Sequence, residues 1–130
     1  MLPPKNAKVT DWPNSTMWFD EEGILFSVSK KSAPLTLAET KKTVEDFKKL
    51  TGGKKVCMLS DNTNSTPLSK ELRDYIAEVM PDFIKAIAVV SGSASARMVA
   101  NLFLSIKKQP YPIKMFDDAT KAKEWLKQFL

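Results

Sequence analysis

A chain of 130 residues is long enough for one domain with one core. A hydrophobic share of 43% against a charged share of 27% fits an ordinary globular protein, and the longest apolar stretch, Met98 to Ile106, is far shorter than the ~20 residues a membrane span needs. The net charge of +5 rests almost wholly on lysine, Arg73 and Arg97 being the only arginines, so we expect a solvated basic surface and no sequence-specific nucleic-acid reader, which would lean on arginine.

Residues 1–15, with prolines at Pro3, Pro4 and Pro13, read as a loose N-terminal arm. They lack an apolar signal core, so we read them as unprocessed. The domain proper is expected over residues 16–130. Thr16 to Asp20 reads as a strand, and Asp20-Glu21-Glu22-Gly23 as a turn in which Gly23 takes positive φ. Ile24, Phe26 and Val28 alternate with Leu25, Ser27 and Ser29 in a period-2 strand, so the two strands should form a hairpin.

Thr36-Leu37-Ala38-Glu39 is a capping box that opens a helix with Leu37, Val44, Phe47 and Leu50 on one side. Gly52-Gly53 ends it. Val56 to Leu59 is a compact apolar strand, followed by the most polar loop of the chain, Ser60 to Pro67. Ser69 caps a second helix that turns Leu72, Ile76, Val79 and Met80 inward and stops at Pro81. Ile84 to Val90 is an apolar run broken only by Lys85, suited to a strand covered on both faces. Ser91-Gly92-Ser93-Ala94-Ser95 leads into a third helix that closes at Lys107-Lys108-Gln109. Ile113 to Phe116 is the last strand. Asp117 and Asp118 cap a final helix with Ala122, Trp125, Leu126 and Phe129 on one face. The order is ββαβαβαβα: an α/β fold with one mixed, mostly parallel five-stranded sheet and four helices.

The element order, the opening hairpin and the ending FDDATKAKEWL resemble the STAS (SpoIIAA-like) domain family, and LSDNTNST and NLFLSIKKQPYPIKMF look like a small bacterial subgroup of unknown function within it. The likeness covers roughly residues 16 to 130. It implies a regulatory, protein-binding module akin to anti-sigma-factor antagonists. Phospho-switched antagonists carry Asp-Ser-Ser-Gly after the third strand. SDNTNSTP stands there in this chain, with the hydroxyls of Ser65, Thr66 and Ser69 but neither the motif nor its glycine, so the resemblance stops short of a phospho-switch.

No histidine occurs, which removes His-based acid–base catalysis and the commonest metal ligand. The single Cys57 lies in an apolar strand, where a thiol is inert and pairs with no second cysteine; a cytoplasmic, reducing setting follows. We therefore expect no enzyme activity, no metal and no cofactor. Two stretches invite a small anionic or amphipathic ligand. Asp61, with Ser65, ends a strand at the edge where ligands gather in parallel sheets. Ser93, Ser95 and Arg97 open the third helix, whose N–H groups and dipole favour an anion. Each has an ordinary structural alternative: Asp61 capping its own turn, and Ser93 capping the helix beside a surface Arg97.

The third helix is apolar almost all round, more than one buried stripe requires. We expect Val99, Leu102 and Ile106 to pack on the sheet, leaving Ala96, Ala100 and Phe103 outward as an interface, with a homodimer as the expected partner state. The resulting reading is a non-catalytic binding or regulatory module. The alternative is a carrier or sensor of a small amphipathic or anionic ligand, as the similarity of STAS domains to the lipid-binding CRAL-TRIO fold implies.

Overall fold

The computed structural model describes residues 2–64, 66–91, 93–106 and 108–130, with the side chain of Phe103 outside the described set. The elements are β1 (Val9–Trp12), β2 (Ser15–Phe19), β3 (Leu25–Ser29), α1 (Leu37–Thr51), β4 (Val56–Asp61), α2 (Lys70–Val79), β5 (Ile84–Val90), α3 (Ala94–Ile106), β6 (Ile113–Phe116) and α4 (Ala119–Leu126). Short 3-10 turns follow α2 and α4. One six-stranded sheet runs in sequence order from β1 to β6. Its first two pairings are antiparallel and the rest parallel.

The sixth strand is β1. It lies in the stretch read as an arm and pairs with β2 from Val9↔Trp18 to Trp12↔Ser15. Trp12 is buried in the core, so apolar burial holds this strand in place despite the flanking prolines.

Local signals act as their chemistry demands. Thr36 Oγ1 accepts from Glu39 N at 3.1 Å while Thr36 N donates to Glu39 Oε1 at 3.0 Å, and α1 ends at Gly52 in the left-handed region. Ser69 and Asp118 cap α2 and α4. The hairpin turn is built by Asp20, whose Oδ1 accepts from Glu22 N and Ile24 N.

Both sheet faces are covered. Leu25, Met58, Ile84 and Ile87 meet Phe47 and Val44 of α1 on one face. Ile24, Cys57, Leu59, Ala86 and Ala88 meet Ala122 and Leu126 of α4 on the other. The central strands β4 and β5 are thus apolar on both sides, as a doubly covered parallel pair must be.

The third helix lies differently. It packs on β6, the strand that ends the sheet. Asn101 holds it there: Oδ1 accepts from Met115 N at 2.9 Å and Nδ2 donates to Met115 O at 3.2 Å. One side-chain amide therefore takes the place of a neighbouring strand and occupies backbone groups that an open edge would leave unpaired.

Candidate functional site

The parallel strands β4 and β5 end in register, Asp61 opposite Val90, so the loops that follow them leave from one edge of the sheet. Asp61 Oδ1 accepts from Thr63 N at 3.0 Å and from Thr63 Oγ1 at 2.6 Å: the carboxylate builds its own turn. Ser29 ties that loop to β3, donating from Oγ to Asp61 O at 2.9 Å and accepting from Asn64 N at 3.2 Å. Ser65 lies outside the described residues.

Across the edge, Ser93 Oγ accepts from Ala96 N at 3.3 Å as a helix cap, and Ser95 is exposed. Arg97 turns back and donates from Nη1 to Ser91 O. Asp117 shares its surroundings: Lys121 chiefly, with a contribution from Arg97, holds its carboxyl below the usual aspartate range. An anion arriving at Arg97 would therefore meet a carboxylate already in place. The described hydrogen bonds link the Asp61 turn to β3 and Arg97 to Ser91, just past the end of β5. No described hydrogen bond joins Asp61 to Ser93, Ser95 or Arg97, the two halves expected to form one anion site.

The most unusual surface is α3. Met98 is 74% exposed, Val99 68%, Leu102 63% and Ile106 78%, at the spacing of one apolar helical stripe. This reverses the expected orientation. Val99, Leu102 and Ile106 face away from the sheet, whereas Arg97, Ala100, Asn101 and Leu104 are the partly covered positions. Ala96 is exposed and Ala100 half-buried. Phe103, expected at the centre of the interface, has a side chain outside the described residues.

The physical reason is that α3 packs on a strand edge and not on a sheet face. An edge offers polar backbone groups, so the polar flank with Asn101 and Arg97 turns inward and the oily flank is left over. Asn101 and Arg97 are the two large polar residues of the helix, four apart on one side, a mark that becomes legible only once the helix is known to meet an edge.

The remaining candidate groups are structural. Burial pushes the Cys57 thiol up, and Cys57 is 2% exposed, which leaves little reactive thiolate. Lys123 Nζ lies 3.0 Å from Asp20 Oδ2 and 3.6 Å from Glu22 Oε1, clamping the β2–β3 turn to α4. The Asp20 hydrogen bond, first among the causes, raises the Lys123 ammonium above its ordinary value. No helix is long and apolar enough to cross a membrane, and no group of metal-ligating side chains forms, among the described residues.

Residues 17–130 match the domain of unknown function DUF7793. The chain belongs to that family. Among solved structures, an uncharacterised DUF3478-family protein with a SpoIIAA-like fold from Shewanella loihica PV-4 aligns over 97% of this chain and 99% of its own, at TM-score 0.60 and 18% identity. A protein of unknown function from Arthrobacter sp. FB24 aligns over 85% of this chain and 90% of its own, at 26% identity and TM-score 0.30. No curated protein matches at a significant level. The fold of this DUF7793 chain is thus SpoIIAA-like, in keeping with the resemblance in its motifs.

Proposed function

We propose that this DUF7793 protein is a non-catalytic binding module of the STAS-like kind, and that it pairs with a second copy of itself through α3. The observation that carries the reading is the stripe of Met98, Val99, Leu102 and Ile106 on a helix fixed to the sheet edge by Asn101. Exposed apolar patches of this kind mark interaction sites.

The chemistry of the patch favours a like partner. Residues 94–106 contain no lysine and no carboxylate, and the one cation, Arg97, is engaged with Ser91 O. In a chain of net charge +5, α3 is the helix on which two copies can approach without opposing lysines. A two-fold contact sets the same oily stripe against itself.

A regulatory role rests on the resemblance to anti-sigma-factor antagonists, which act by exchanging protein partners. At the candidate anion edge Asp61, Ser93 and Arg97 are engaged with their own turns, which leaves them poorly placed to act on a substrate. The test is Leu102→Glu followed by sedimentation across a wide concentration range. The wild type is expected to be dimeric and the variant monomeric with unchanged circular dichroism. A wild type that stays monomeric at high concentration, or a variant that stays dimeric, overturns the reading.

A further inference from the structure

On the face of the sheet opposite α4, side chains change character along the strands. Phe19 and Leu25, paired across β2 and β3, are apolar; Met17 stands opposite Ser27, and Ser15 opposite Ser29. The same row continues onto β4, where Leu25 pairs with Met58 and Ser27 with Ser60. One end of this face is therefore oily and the other carries hydroxyls.

The helices above it leave a cleft with the same polarity. An inner chamber of about 200 Å³ is bounded by Val44, Phe47, Met58 and Ile76. A mouth of about 400 Å³ is bounded by Ser15, Ser27, Thr66 and Arg73. Asn14, Ser15, Met17, Leu35 and Leu68 line both, so the two adjoin.

Three features of the cleft are unspent. Ser15 and Ser27 are 8% and 7% exposed, no described hydrogen bond engages either hydroxyl, and neither oxygen is fully enclosed, so both open onto the cleft they line. Asn14 Oδ1 is buried and lacks a hydrogen-bond partner among the described residues; a half-turn of the amide presents its N–H₂ there instead. Arg73 is exposed and, among the described residues, makes no ion pair and is the one ionisable side chain lining either chamber.

We propose that this cleft binds a small amphipathic carboxylate, an arylalkyl acid, with its ring in the inner chamber and its carboxylate at Arg73 and the serine hydroxyls. Size sets the apolar part: a dry cavity of ~150 Å³ admits a benzene ring, and the inner chamber is slightly larger. Charge sets the head: a guanidinium not already held in an ion pair takes a planar anion by paired hydrogen bonds, and the neighbouring Asp74 is engaged with Lys70. The site lies between α1, α2 and the sheet, and is independent of the α3 surface.

The probe is 3-phenylpropionate titrated into the labelled full chain, with 3-phenylpropan-1-ol and propionate as controls, read by amide shifts. The acid is expected to saturate and to move Ser15, Ser27, Val44 and Leu68, binding about tenfold tighter than the alcohol. Propionate, lacking the ring, should bind more weakly still. Arg73→Gln should weaken the acid about tenfold and leave the alcohol unchanged, whereas Arg73→Lys should keep part of the gain. The Leu102→Glu variant should bind as the wild type does, which separates this site from dimerisation. Absence of saturation, equal binding of acid and alcohol, indifference to Arg73→Gln, or shifts centred elsewhere would each overturn the proposal.

Discussion

Replacing Asn101 with alanine removes both hydrogen bonds that stand in for a missing strand beside β6. Met115 N and Met115 O are partly buried and lose protein partners together. At a net 0.5–1.5 kcal/mol for each bond, the cost is about 1–3 kcal/mol. Because the bonds join α3 to β6 and not the core strands to one another, the loss should be local first. Amide exchange at Met115 should accelerate by about 5- to 150-fold, while Leu59 and Ala88 on the buried strands follow only the change in global stability. Asn101→Asp offers a finer reading. It keeps the acceptor for Met115 N but places a carboxylate oxygen against Met115 O, so the damage should remain. Denaturant unfolding and residue-resolved exchange measure both quantities. If Met115 protection is unchanged in Asn101→Ala, the amide does not hold the edge, and the account of why α3 turns its oily flank outward fails with it.

Two further outcomes follow from the burial of charge and thiol. Lys123→Met leaves the nearly buried Asp20 carboxylate without its 3.0 Å partner and should cost about 1–2 kcal/mol, the exposure of Lys123 reducing the full penalty. Since the folded Lys123 titrates above its ordinary 10.5, its contribution is complete below that value and fades as pH rises through the higher folded one. The stability gap between wild type and Lys123→Met should be constant from neutral pH to about 10 and shrink beyond it; a gap that closes at neutral pH would refute the clamp. Cys57, enclosed in β4, should react with a thiol reagent only as fast as the protein opens, and prompt stoichiometric labelling of the native protein would contradict its burial.

Much of the fold is legible in local chemistry. Thr36-Glu39, Ser69 and Asp118 announce helices because capping is decided within four residues. Gly23 and Gly52 mark a turn and a helix end because each takes positive φ. What escapes is decided at longer range. Val9-Thr10-Asp11-Trp12 has too little alternation to declare a strand, and only pairing with β2 and burial of Trp12 make it one. The orientation of α3 escapes for a related reason. Periodicity shows that the helix has two apolar flanks, but which flank is covered depends on whether it meets a sheet face or an edge. The polar edge of β6 chose Asn101. The cleft beside Ser15 and Ser27 escapes as well: Ser15 falls in the stretch read as an arm, and alternation sets Ser27 on the side opposite Ile24, Phe26 and Val28, with nothing local to show that α1 and α2 cover that side too.

The most direct test of the central claim, association through α3, is an isotope-filtered methyl experiment on a mixture of labelled and unlabelled wild-type chains. The account predicts contacts between copies among Met98, Leu102 and Ile106, with none from β1 or α4. A dimer whose intermolecular contacts lie on another surface, or a sample that shows none at millimolar concentration, would contradict it.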